Sequence, residues 1–241
     1  MGHYARRYRR RNTCRCGFKG GIISDEVLLK IITVSVGELE TNCYILIDDS
    51  SEAVVIDPGA EAKKIIAALD REKAVCRRII FTHGHADHIG AAGDIKAKYG
   101  ALILTHPLEF EALVSSEKNL SAFTGDFISA PPADGALNDG DTVSAGEISL
   151  EVMHTPGHTA GGICLIARKK NGEAFAVFSG DTIFRQTVGR CDLPGGDEKA
   201  MAASVSKFMA IRGNPAIYPG HGSATTLYAE KLSNPFFRNQ L

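Results

Sequence analysis

Short runs of β-branched and aliphatic residues punctuate the chain, and between them apolar residues recur at helical spacing. Residues 28–34 and 43–47 are β-rich runs joined by a polar turn over 37–42. Residues 53–56 form another strand, stopped at Asp57-Pro58-Gly59 because Pro58 cannot donate to a ladder. Residues 62–69 place Ile65, Ile66 and Leu69 on one helical face, and residues 78–81 form a short buried strand. A helix over 89–99, a strand over 102–104 and a helix start over 107–114 follow. Residues 115–136 are a long stretch of mostly small residues broken by Pro131-Pro132, which predicts a loop or a weakly formed lid. Strands return over 143–145, 148–153, 163–167 and 174–178, the last two flanking Asn171-Gly172, a strong hairpin signal. Asp197 caps a helix reaching residue 211, with Met201, Val205 and Phe208 inward. Residues 216–218 are the last strand and 226–232 a closing helix. The pattern predicts an α/β chain in which two sheets pack face to face with helices outside.

Composition narrows this to an ordinary globular protein. Of 241 residues, 44% are hydrophobic and 23% charged, and the formal net charge is -1. That balance disfavours nucleic acid or anionic lipid as the partner of the whole protein. No apolar stretch approaches the ~20 residues of a membrane span. The six cysteines are scattered, with only Cys14 and Cys16 close together, so a reducing cytoplasm is expected. Residues 1–26 read as a basic arm, expected to be disordered, ahead of one domain over 27–241. The arm carries seven cations within its first 21 residues and lacks the apolar core of a signal peptide.

The chemistry concentrates in Phe81-Thr82-His83-Gly84-His85-Ala86-Asp87-His88. Three histidines and a carboxylate crowd one turn directly after an apolar strand. Buried polar groups left unpaired cost about 1–3 kcal/mol each, so such a cluster implies a partner. His83 and His85, two apart, can point to the same side of an extended segment. Asp87 and His88 begin the next element and can face a second point, a spacing that suits two adjacent cations. Three later turns repeat one signature, a strand, a glycine, then a metal-seeking side chain: Gly157-His158, Gly180-Asp181 and Gly220-His221. His3 and His106 lack it.

The ordered set His83-x-His85-x-Asp87-His88, His158, Asp181 and His221 resembles the metallo-β-lactamase superfamily, from about residue 27 to 237. Asp181 stands where the true metallo-β-lactamases carry Cys, which speaks against antibiotic hydrolysis. His85 stands where the flavodiiron branch carries Glu. The segments from Gly180 to Phe184 and from Val188 to Asp197, and the ending Pro219-Gly220-His221-Gly222 with Asn234-Pro235-Phe236, look like the compact, single-domain branch of glyoxalase II relatives. The resemblance implies a four-layer αββα sandwich. It also implies two divalent metal ions, zinc expected, with iron or manganese as alternatives.

One cation would take His83, His85 and His158; the other Asp87, His88 and His221; Asp181 would bridge them. Asp57 would orient a ligand histidine through its free N–H. The implied reaction is attack of a shared hydroxide on a small thioester carbonyl, with glutathione a candidate thiol carrier and Asp87 orienting the hydroxide. Only about a helix follows His221, so the helical domain with which full-length glyoxalase II grips glutathione is not expected here. Arg185 and Arg190 are the candidate substitutes for substrate binding. Two rival readings share the scaffold. One is a persulfide dioxygenase using a single iron on His83, His158 and Asp181; the other is a nucleic-acid processing member recruited by the basic arm.

Overall fold

The computed structural model describes residues 29–238; the basic arm, with His3, Cys14 and Cys16, lies outside them. The first sheet is entered as a meander of β1 (Lys30–Val36), β2 (Thr41–Ile47) and β3 (Glu52–Ile56). Helix α1 (Ala62–Glu72) then crosses to β4 (Val75–Ile80), which lies parallel to β3. Two helices follow where the periodicity predicts one over 89–99: α2 (Ala86–Ile89) and α3 (Ala92–Tyr99). The break falls at Gly90-Ala91, where Ala91 N–H donates to the Pro58 carbonyl (2.9 Å) instead of continuing the helix. Asp87 and His88 fall in the short α2, at the start of the element that follows the turn, as expected. Strand β5 (Leu102–Thr105), helix α4 (Phe110–Val114) and the short β6 (Gly135–Ala136) complete the half, and the sheet order is sequential from β1 to β6.

The second sheet takes β7 (Thr142–Ala145), β8 (Ile148–His154), β9 (Ile163–Arg168) and β10 (Ala174–Gly180) as antiparallel neighbours. A small hairpin, β11 (Ile183–Phe184) with β12 (Thr187–Val188), leaves it and was not signalled by the sequence pattern. Helix α5 (Glu198–Lys207), capped as expected by Asp197, leads to β13 (Ala216–Pro219), parallel to β10. The edge strand β14 (Thr225–Thr226) and helices α6 (Leu227–Ser233) and α7 (Pro235–Arg238) end the described chain.

Alternation along β2 explains the layering. Tyr44 and Leu46 face the second sheet, meeting Leu150, Leu165 and Phe178. Cys43, Ile45 and Ile47 face the other way, onto Ile65 and Leu69 of α1 and Ile95 of α3. On the far side of the second sheet, Cys164, Ile166 and Val177 pack on Met201 and Val205 of α5 and on Phe208. Two mixed sheets therefore lie face to face with helices on both outer surfaces, the expected four-layer αββα arrangement. No helix among the described residues is long and apolar enough to cross a membrane.

Candidate metal centre

Four strand ends deliver the centre. β4 runs into the turn bearing His83 and His85, β8 into His158, β10 into Asp181, and β13 into His221. The two sheets meet along this edge through side-chain ties from the start of β2. Asn42 Nδ2 donates to the carbonyls of Pro219 (3.0 Å) and Gly222 (2.9 Å), and Tyr44 Oη donates to Pro219 (2.6 Å). Gly220 is required by close approach: a Cβ there would lie 2.1 Å from Asp181 Oδ1 and 2.8 Å from His88 Cε1.

The side chains converge as two trios. In one, His85 Nδ1 lies 3.1 Å from His83 Nε2 and 3.0 Å from His158 Nε2. In the other, His88 Nε2 and His221 Nε2 are 3.3 Å apart, and Asp87 Oδ2 lies 3.4 and 3.1 Å from them. Asp181 stands between: Oδ1 is 3.6 Å from His88 Nε2, and Oδ2 is 3.5 Å from His158 Nε2 and 3.7 Å from His221 Nε2. His83, His85, His88 and His158 are buried.

Outer partners fix which nitrogen faces the centre. His158 Nδ1 donates to the Arg190 carbonyl (2.8 Å) and His221 Nδ1 to the Leu39 carbonyl (2.9 Å). Asp57, buried and at positive φ, accepts from Thr82 N (2.7 Å), Thr82 Oγ1 (2.6 Å) and His88 Nδ1 (3.1 Å). The Thr82 hydroxyl, its proton given to Asp57, accepts from His83 Nδ1 (3.1 Å). Nε2 of four histidines is thereby turned inward, the orientation that outer carboxylates and carbonyls impose on metal-ligating imidazoles. One carboxylate, Asp57, reaches a histidine of each trio.

This donor set fits divalent cations. Burial pulls His83 well below the usual imidazole range and His85 down to about 3, with the neighbouring imidazoles adding to both shifts. His83, neutral and with its Nδ1 proton given to Thr82, then turns a bare Nε2 lone pair toward Nδ1 of the equally neutral His85. Asp181 Oδ1 is buried with no hydrogen-bond partner among the described residues. A cation in each trio would satisfy such orphaned lone pairs, and His83, His85, His158, Asp87, His88, His221 and Asp181 offer the nitrogen and oxygen ligands suited to zinc, iron or manganese.

The two halves differ electrostatically. Burial pulls His88 down, but the carboxylates of Asp87, Asp181 and Asp57 outweigh it and hold the metal-free imidazole at about 10. Burial raises Asp87, but His88, His221 and the hydroxyl of Thr41 (2.9 Å) keep its carboxyl ionised, well below the usual range. Cation uptake by the Asp87 trio must therefore expel the His88 proton. Its affinity is expected to rise with pH up to about 10, with net proton release at about pH 7, measurable on adding metal to chelated, weakly buffered protein. In the other trio, His83 and His85 are already neutral and give no such release. The same raised group stabilises the metal-free fold below its unfolded value of 6.5, and that contribution disappears as pH climbs to about 10.

The sequence-derived candidates separate here. His83, His85, Asp87, His88, His158, Asp181 and His221 come together, with Asp57 behind them. Arg190 contributes its backbone carbonyl; its guanidinium is engaged by Asp192, with Nε–Oδ1 and Nη2–Oδ2 both at 2.7 Å, on the surface. Arg185 sits exposed on the β11–β12 turn, without a hydrogen bond or ion pair to the described residues. Its neighbour Phe184 faces the His221 ring at 6.3 Å. His106 is outside the centre, stacked on His154 at 4.2 Å. Thr41, Thr82 and the Leu39 carbonyl belong to the centre and were missed. Thr82 adjoins His83 and could have been suspected as an imidazole partner; a main-chain carbonyl leaves no residue-type signal.

Known proteins share this architecture. A sequence profile of the metallo-beta-lactamase superfamily matches residues 36–221, a span holding every residue of both trios. A Haemophilus influenzae protein named hydroxyacylglutathione hydrolase GloC is 31% identical over 222 residues, covering 88% of this chain and 100% of its own. The crystal structure of BLEG-1, described as a B3 metallo-beta-lactamase, has a TM-score of 0.80 and 34% identity, covering 86% of this chain and 99% of its own. That of TTHA1623 in a di-iron-bound form has a TM-score of 0.74 and 31% identity, covering 85% and 99%. Fold, site geometry and sequence agree that this chain belongs to the metallo-beta-lactamase superfamily of metallo-hydrolases.

Proposed function

We propose that this protein is a cytoplasmic, two-metal thioesterase of the hydroxyacylglutathione hydrolase type. The observation that carries the two-metal reading is Asp181, one carboxylate within reach of histidines from both trios. His83, His85 and His158 would hold one ion and Asp87, His88 and His221 the other, with Asp181 bridging. When bound, such a pair supplies Lewis acidity, lowering the pKa of water toward ~7 and polarising a carbonyl. Asp87, kept ionised and steadied at Oδ2 by the Thr41 hydroxyl, would orient the attacking water by accepting a hydrogen bond from it. Asp57 and Thr82 hold the imidazoles in register. A thiolate leaves readily because its thiol pKa is ~8.5, so a centre built of His and Asp needs no dedicated acid for it. The likeness to the Haemophilus protein named hydroxyacylglutathione hydrolase supports the choice of thioester. The described cysteines, Cys43, Cys76, Cys164 and Cys191, are free thiols, which supports a reducing compartment.

Arg185 is the substrate-gripping candidate, because Arg190 is already paired. Arg185→Ala should raise KM about two- to fivefold with kcat unchanged, the loss of one exposed charge contact. Arg190→Ala should leave KM near the wild-type value. A KM effect confined to Arg190→Ala would reverse the assignment.

The substrate reading is tested by comparing kcat/KM for an acylated glutathione, a β-lactam and glutathione persulfide. The β-lactam belongs there because BLEG-1 is described as a B3 metallo-beta-lactamase, and Asp181 alone does not outweigh that likeness. The thioester should be turned over most efficiently. Preference for the β-lactam would replace the substrate. Dioxygen consumption with the persulfide would favour a single iron on His83, His158 and Asp181, a reading that leaves the Asp87 trio idle.

A further inference from the structure

Outside both trios lies a buried carboxylate that the mechanism does not use. Glu109 ends a single 3-10 turn, Pro107–Glu109, after β5 and is 3% exposed. Its Oε2 accepts from Gly84 N at 2.8 Å, the amide between His83 and His85. Its Oε1 accepts from Gly161 N, also at 2.8 Å, three residues beyond His158. No Lys or Arg pairs with it among the described residues. Both glycines are shaped to this contact. A Cβ on Gly84 would lie 2.9 Å from Oε2 and 2.5 Å from Ala112 Cβ; one on Gly161 would lie 2.7 Å from Oε1.

Two backbone donors from two loops meet two acceptors on one planar fork. A carboxylate can satisfy both, whereas a glutamine offers one oxygen and must turn an NH2 group on the other amide. The fork therefore fixes the separation of the His83–His85 loop from the His158 loop. These loops supply all three nitrogens of the His83, His85 and His158 trio and none of the other.

We propose that Glu109 is a positioning residue that sets the spacing of the His83, His85 and His158 cation site without touching the ion. This rests on the two-metal reading above. The test is a competition titration with Co(II) and a chelator on the full chain, resolving the two affinities. Glu109→Gln should weaken one cation about tenfold or more and leave the other unchanged. In a His158→Ala background, where that site is already broken, Glu109→Gln should add no further loss. Gly161→Ala keeps the carboxylate but drives a Cβ against Oε1, and should weaken the same cation; it serves if Glu109→Gln does not fold.

Equal weakening of both cations, no change in either, or an additive loss in the His158→Ala background overturns the proposal. So does failure of both variants to fold, which would make Glu109 purely structural. A wild type that takes up no cation overturns the two-metal reading and the clamp together. A two-cation wild type with unaltered Glu109→Gln affinities overturns the clamp alone.

Discussion

Asp181→Ala is expected to lose both metal ions and to lower thioester turnover by more than ~100-fold, beyond the 10–100-fold typical of an outer hydrogen-bond partner. The reason is its position. Each trio can lose one of its own ligands and still leave its neighbour intact, so His221→Ala should weaken one cation and spare the other. Asp181 is shared: its oxygens lie 3.5–3.7 Å from His88, His158 and His221. Removing it would take a ligand from both ions and, among the described residues, the only carboxylate standing between the trios, so two cations would face each other unscreened. Elemental analysis of purified variants should give about two ions per chain for wild type, about one for His221→Ala and well under one for Asp181→Ala. Retention of two ions by Asp181→Ala would remove it as the bridge.

Asp57→Asn is expected to weaken both cations by about 10–100-fold while the fold survives. The residue sits at a φ of 50°, which Asn tolerates better than most residues, so the change isolates the acceptor. The carboxylate accepts three hydrogen bonds, from Thr82 N, Thr82 Oγ1 and His88 Nδ1. An amide in its place must direct NH2 at one of these donors. If at His88, the imidazole is driven to the tautomer whose Nε2 proton faces the centre. If at Thr82, the hydroxyl loses its acceptor and releases His83 Nδ1. Thr82→Val should affect only the His83 trio, and the difference between the two variants isolates the direct contact to His88. Titration with a competing chelator measures both. Unchanged affinities in Asp57→Asn would reduce Asp57 to a turn residue ahead of Pro58.

Much of this centre was legible before any coordinates, for physical reasons. Strand ends followed by glycine are where a side chain can leave a sheet edge, and His158, Asp181 and His221 all obey that rule. The layers followed from period-two alternation, as in β2, where Tyr44 and Cys43 face opposite cores. What was not legible depends on contacts distant in sequence. The split of α2 from α3 requires the Pro58 carbonyl to capture Ala91 N–H, 33 residues away. Arg190 reads as a substrate cation because its residue type is all the sequence displays; its contact with the centre runs through a carbonyl. Glu109, between Leu108 and Phe110, carries no local sign that both oxygens are committed to glycine amides 25 and 52 residues away. Main-chain partners of buried carboxylates become visible only with the fold.

The most direct test of the two-metal thioesterase is to strip the wild-type protein with chelator, then restore ions stepwise while following thioester hydrolysis and metal per chain together. Turnover should be negligible in the stripped protein and return as occupancy approaches two zinc, iron or manganese ions per chain. Full activity at a single ion, or none on any thioester at two, would contradict the account.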